Sequence, residues 1–453
     1  MIAIILLLAA SGARAESLQA MIDRAEPGAT IAVPAGVYGP IKTDKPIKLI
    51  GQDWPVIDGG GVSDCVVLVG GESEIRGFVI RNSGEDLDKE STGLRVMGRG
   101  AVIENNRFEN VLFGIDLKSA PDCVIRGNTI GSKALDIARR GDALRLFRSN
   151  NCLIESNTIE DGRDALLWYS NKVVVRNNIS RRNRYGFHMM YANEVTLEGN
   201  QISDNSVGIY VMYGQNYVIR NNRLLRNRGP SGYGLGLKEI DRYQIESNVL
   251  SGNRVAIYMD GSPLRRKPGN ALINRNVIAC NDIGFAVLPA VKGNRIEGNT
   301  ISDNIEQLAV LGRGAVAGND FTGNYWSDYT GYDADHDGIG DQAYTSRKLF
   351  ESLIDSEPKL RLLIYSPAHE AIEFIGRAIP AIQPEPKFAD PAPLMRPATP
   401  TFGVANAGGG SYLLAVGLLG VPGVVVLLLR ERSRPVGAAT IARPASVREG
   451  GRS

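Results

Sequence analysis

Apolar and polar positions recur along most of this chain in one phrase: apolar, two variable residues, Asn, one variable, apolar, two variable, Asn. It reads Ile154-x-x-Asn157-x-Ile159, Leu197-x-x-Asn200-x-Ile202-x-x-Asn205 and Ile219-x-x-Asn222-x-Leu224-x-x-Asn227. It returns from Ile245, Ile273, Ile296 and Val316, the last as Val316-x-x-Asn319-x-Phe321-x-x-Asn324, with looser copies at Ile75, Ile103, Ile125 and Val174. The first Asn comes back every 20 to 29 residues, and self-similarity at such a period marks a solenoid.

Between the Asn positions residues alternate with a period of two, as in Ile209, Tyr210, Val211, Met212, which predicts short strands rather than helices. Three such strands and three corners in a coil of about 22 residues make one rung of a right-handed parallel β-helix, an all-β fold expected over residues 16–330. Asn is expected at the corners because it tolerates left-handed backbone angles, and amides stacked there would bond up and down in a ladder. A leucine-rich-repeat horseshoe would need a Leu-x-x-Leu-x-Leu consensus that is missing here. Leu18, Met21, Ile22 and Ala25 share one face of a short helix over 17–26 that would cover the first coil. Thr30 to Tyr38 reads as the first strand.

Both ends change the picture. Residues 1–15 combine an apolar run with Ala13-Arg14-Ala15, a secretory signal pattern without the usual basic start. Ser366-Pro367 opens a helix to Arg377 within an extension over 346–380. Residues 381–410, rich in Pro, Ala and then Gly, read as a disordered or extended linker. An uncharged apolar run at 411–429 is long enough for a transmembrane helix. Arg430, Arg432 and Arg434 follow it and place the tail, 430–453, in the cytoplasm. The solenoid is therefore expected in the periplasm, anchored to the inner membrane. With 51 basic and 49 acidic residues the chain has no bias toward nucleic acid. Cys123 and Cys152 should stack inward in adjacent coils, as buried thiols in preference to a disulfide; a copper pair is a third reading.

Aligning the rungs on the Gly or Ala before one strand sends Leu144/Leu146, Leu166/Trp168, Phe187/Met189, Ile209/Val211, Leu235/Leu237 and Ile257/Met259 to the core. One outward column then reads Arg145, Leu167, His188, Tyr210, Gly236, Tyr258, and the next Phe147, Tyr169, Met190, Met212, Lys238, Asp260. Strands lie about 4.8 Å apart, so Met190 and Met212 could touch one ligand with His188 beside them. Two thioethers and an imidazole form a soft set suited to Cu(I). Packing beneath a loop or a partner protein is the other reading of that face. After the solenoid, Asp333-x-Asp335-x-Asp337-Gly338-x-Gly340-Asp341, within 331–345, resembles the first half of an EF-hand calcium loop. Tyr344 stands where the bidentate Glu would close it, so a structural calcium would need a ligand from elsewhere.

Arg184-Tyr185-Gly186-Phe187-His188-Met189-Met190-Tyr191, Gly323-Asn324-Tyr325-Trp326-Ser327-Asp328-Tyr329 and Ser366-Pro367-Ala368 together resemble the NosD family, periplasmic maturation proteins of nitrous oxide reductase, over roughly 17–380. The resemblance implies a non-enzymatic copper role at His188, Met190 and Met212 beside an ABC transporter of NosY permease and NosF ATPase. It further implies a NosL-type copper chaperone as donor. The apolar span at 411–429 departs from that pattern. The alternative is a carbohydrate-binding or carbohydrate-processing β-helix, which would need convergent carboxylates; the two outward columns hold one acid. A passive adhesin or scaffold would leave the Met/His face unused.

Overall fold

The computed structural model describes residues 16–265, 270–312 and 314–398. The signal at 1–15, the apolar span at 411–429 and the tail at 430–453 lie outside the described residues. Among those described, no helix is long and apolar enough to cross a membrane.

The chain winds as a parallel β-solenoid. Each strand pairs with the third one along the chain, giving sheets of 13, 13 and 12 parallel strands. In the first sheet Ile103, Ile125, Ile154, Val175 and Leu197 occupy consecutive rungs of one inward column, all fully buried. Branched side chains stacked at strand spacing in this way fill the interior with apolar contacts along the whole axis.

The asparagines do form a ladder, running from Asn106 to Asn324 inside the corner rather than on it. Asn157 N–H and its Nδ2 both donate to Asn178 Oδ1, at 2.9 and 3.0 Å, and Asn178 repeats this to Asn200. These Asn are buried. Left-handed backbone falls on the residue before each, as at Ser156, Asn177, Gly199 and Asn221, which corrects the expected division of labour. The last copy is also re-registered. Phe321 pairs with Ile296 and Trp326 with Ile301, so Asn324, not Asn319, continues the ladder from Asn299.

The helix Leu18–Arg24 covers the first coil, with Leu18 and Ile22 buried and the Ser17 hydroxyl accepting from Ala20 N–H. The run Thr30 to Tyr38 is two strands in different sheets, Thr30–Val33 and Val37–Tyr38, because the chain turns a corner at Pro34. At the far end stand helices Leu349–Ser356 and Pro367–Ala378. The predicted Ser366 cap makes no side-chain hydrogen bond to the second helix; its hydroxyl donates to Leu363 O. The stretch read as a linker is tied down as far as it is described, to Ala398. Lys387 is buried against Glu306 and Asp355, and Phe388 packs among Phe321, Trp326 and Tyr344. Asp390 accepts from Asn324 N–H, Asn324 Nδ2 and Trp326 Nε1. Pro- and Ala-rich composition concealed these three anchors. Cys123 and Cys152 are buried and unbridged in adjacent coils; Cys280 is exposed.

Candidate metal centre

The strands Asp164–Trp168, Tyr185–Met190, Val207–Met212 and Tyr233–Lys238 run side by side in the third sheet. Register pairs His188 with Tyr210 and Met190 with Met212, while Met189 lies in the core. One rung earlier the sequence alignment slips. Leu167 faces the core; Leu166 pairs with His188 and Trp168 with Met190. Trp168 is 37% exposed rather than buried. The cause is a β-bulge, in which Gly186 and Phe187 together oppose Ala165. Gly186 admits no side chain, since a Cβ there would stand 2.6 Å from the Gly208 carbonyl oxygen.

That bulge sets Asp164 beside His188. The imidazole is 9% exposed. Its Nε2 lies 3.4 Å from Met212 Sδ and its Nδ1 3.3 Å from Asp164 Oδ2. Two ligand atoms each about 2.0–2.3 Å from one metal ion lie roughly 3.5 Å apart at a tetrahedral angle. Nε2 and Sδ are therefore spaced to share an ion, with Met190 on the next strand opposite Met212. Tyr185 meets the imidazole edge-on at 4.7 Å, and Tyr210 lies nearly parallel to it at 6.0 Å.

Asp164 is 1% exposed and is gripped by the Arg184 guanidinium, whose Nε donates to Oδ1 at 2.8 Å while Nη2 donates to Oδ2. Burial alone would raise its pKa, but the bonds from His188 and Arg184 outweigh this and hold the carboxyl below the usual range. Asp142 behaves oppositely: burial, then the charge of Asp164, push it up to about 7. Neither acid was recognised in the sequence, because the column alignment put Asp164 out of phase. A readable signal existed. Asp164 and Arg184 stand at nearly one period's separation, at the start of equivalent strands: Asp164 opens one and Arg184 immediately precedes the next.

In the acidic loop the ligand oxygens of Asp333, Asp335 and Asp337 lie within 4.8 Å of one another. Gly338, at φ +88°, makes the sharp turn. Asp341 is not in that group, and its Oδ2 accepts from Ala334 N–H at 2.7 Å. Tyr344 is buried and stacked on Trp326, and its hydroxyl donates to Asp328 Oδ1 at 3.0 Å.

The probable ABC transporter binding protein NosD of Pseudomonas aeruginosa is 32% identical over 410 residues, covering 86% of this chain and 94% of that protein. The chain belongs to the NosD family. The NosD protein of Stutzerimonas stutzeri, with the same description, is 29% identical over 80% of this chain and 86% of its own length. The NosD family, described as periplasmic copper-binding protein, matches residues 130–331, the stretch that holds His188, Met190 and Met212. A family of unknown function matches residues 39–210. Among solved structures, the catalytic unit of an α-1,3-glucanase from Streptomyces thermodiastaticus shares 16% identity, a TM-score of 0.54 and 72% of each chain. A mannuronan C-5 epimerase A-module from Azotobacter vinelandii shares 17% identity, a TM-score of 0.51, 69% of this chain and 95% of its own. Those likenesses are to the NosD-family fold alone.

Proposed function

We propose that this NosD-family protein is a non-enzymatic copper carrier of the periplasm, serving the maturation of nitrous oxide reductase. It takes Cu(I) on the outer face of the third sheet and passes it on by ligand exchange. His188 Nε2 and the thioethers of Met212 and Met190 are the donors, and the 3.4 Å approach of Nε2 to Met212 Sδ is the observation that carries the reading. Thioethers hold Cu(I) without deprotonation, so release needs no proton to replace the metal. The partners are a NosL-type chaperone as donor and an ABC transporter of NosY and NosF type, with 411–429 anchoring the solenoid beside them. The sequence carries no Gly-x-x-x-x-Gly-Lys-[Ser/Thr] loop, so ATP hydrolysis belongs to the transporter. We read Asp333, Asp335 and Asp337 as holding a structural calcium, with Asp341 in its outer sphere.

Titration of the full chain with Cu(I) against a competing chelator tests the copper site. His188→Ala and Met212→Leu should each weaken binding about a hundredfold, whereas Met189→Leu, a volume-conserving change in the core, should leave it within about twofold. Unchanged affinity in both outward variants would refute the site.

A second reading has one observation in its favour. Asp142 feels the charge of Asp164, and the two are shifted in opposite directions, as in an acid–base pair acting on a sugar. Both carboxylates are almost wholly buried and Asp164 is occupied by Arg184, which is why copper is preferred.

A further inference from the structure

We propose that Asp164 is the positioning residue of this centre: it orients the His188 ring through Nδ1–H, so that Nε2 is aimed at the point that Met212 Sδ also faces. The inference rests on the copper reading for its purpose, and on geometry for its substance.

The two ring nitrogens of His188 have unlike neighbours. Nδ1 faces Asp164 Oδ2 at 3.3 Å, and Nε2 faces a thioether at 3.4 Å. An ionised carboxylate accepts hydrogen bonds and donates none. If the proton sat on Nε2, the Nδ1 lone pair would oppose a buried negative oxygen, and Nε2–H would face a weak sulfur acceptor among the described residues. With the proton on Nδ1 the carboxylate is satisfied, and two lone pairs, nitrogen and sulfur, converge on one point. A soft cation placed there would take up both lone pairs at once.

Three features hold Asp164 in this role. Arg184 donates to both of its oxygens and keeps it ionised. The bulge at Gly186–Phe187 gives the His188 strand an extra residue, so that Tyr185 pairs with Asp164 while His188 pairs with Leu166. Tyr185 and Tyr210 flank the ring and limit its rotation. A carboxylate on the far nitrogen of a ligating imidazole sets its tautomer and raises its basicity, and losing it weakens metal binding by about 10–100-fold.

Histidine-labelled 15N NMR of the full chain in detergent, without metal and at pH 8, reads the tautomer directly. The chain has three His, so His336→Gln and His369→Gln assign the His188 signals. The expected result is a protonated Nδ1 and a bare Nε2, with added Cu(I) moving the Nε2 resonance. Asp164→Asn, which can donate as readily as accept, should give mixed tautomers and raise the Kd for Cu(I) about 10–100-fold. A proton on Nε2 in the wild type overturns the proposal without recourse to any variant. So does an Asp164→Asn protein with unchanged tautomer and Kd. If the tautomer is as expected but Cu(I) affinity ignores His188→Ala and Met212→Leu, the copper reading fails and the orientation by Asp164 stands.

Discussion

Two stretches of the third sheet's outer face share one backbone and differ in how their side chains are satisfied. Toward the N-terminus, Arg145 donates to Asp116 at 2.8 Å and to Glu90 at 2.7 Å, and Lys118 also binds Glu90. Asp116 is fully buried there, and the segment before Thr92 is drawn over the sheet by these bonds. Two coils later the same columns present His188, Met190 and Met212. The first stretch carries equal and opposite charges that cancel within the protein. The second brings His188 Nε2 to 3.4 Å from Met212 Sδ, the pair that the proposed copper site uses. Identical scaffolding thus yields a locked face and an open one, decided by which residues stand at matching register positions.

Breaking the locked half should leave the open half working. Arg145→Met strips Asp116 of its hydrogen-bonded cation and leaves it only the looser pairs with Arg95 and Lys118, at 3.8 and 3.9 Å, at a cost below the roughly 3–5 kcal/mol of an unpaired buried charge. Calorimetry should show a lower melting temperature while Cu(I) affinity is unchanged; a parallel loss of copper binding would mean that the two stretches are one unit. A smaller effect is set by pH. The Arg145 hydrogen bond, against the opposing effect of burial and with help from Lys118, lowers the Glu90 pKa to about 2. Its unfolded value is about 4.3, so its contribution is complete above that and fades as pH falls toward 2. Melting temperature should accordingly drop more steeply between about pH 4.3 and 2 in the wild type than in Glu90→Gln. Parallel curves would remove Glu90 from the lock. The smallest effect lies at the other end of the molecule: calcium chelation should lower the melting temperature by a few degrees in the wild type and leave Asp335→Ala unmoved. Equal responses would remove calcium from the loop, and a change in Cu(I) affinity on chelation would tie that loop to the open face.

The solenoid was legible because its cause is repetitive: one column of apolar residues and one of Asn recur at every rung, so small errors average out. The register of Met190 opposite Met212 was legible for the same reason, since they stand at the same place in neighbouring rungs. What escaped was whatever broke the period. The extra residue at Gly186–Phe187 shifted Asp164, Leu166 and Trp168 by one place, and a shift of one turns every side chain to the opposite face. Asn324 was assigned to the wrong step because Phe321 and Trp326 replace the aliphatic residues of earlier copies. Lys387, Phe388 and Asp390 were invisible because their partners, Glu306, Trp326 and Asn324, lie more than sixty positions away.

Asp390 gives the asparagine stack an end in the sense that a polymer has one. Each buried Asn accepts from the rung before it and donates to the rung after it, so the column is a directional chain of hydrogen bonds that could be extended by any further acceptor. At Asn324 the next acceptor is a carboxylate, which takes up the donors of Gly323, Asn324 and Trp326 and has no proton to hand on. The growing tip is thereby chemically quenched. The ladder therefore closes within its own chain, on a residue supplied after the repeat has ended.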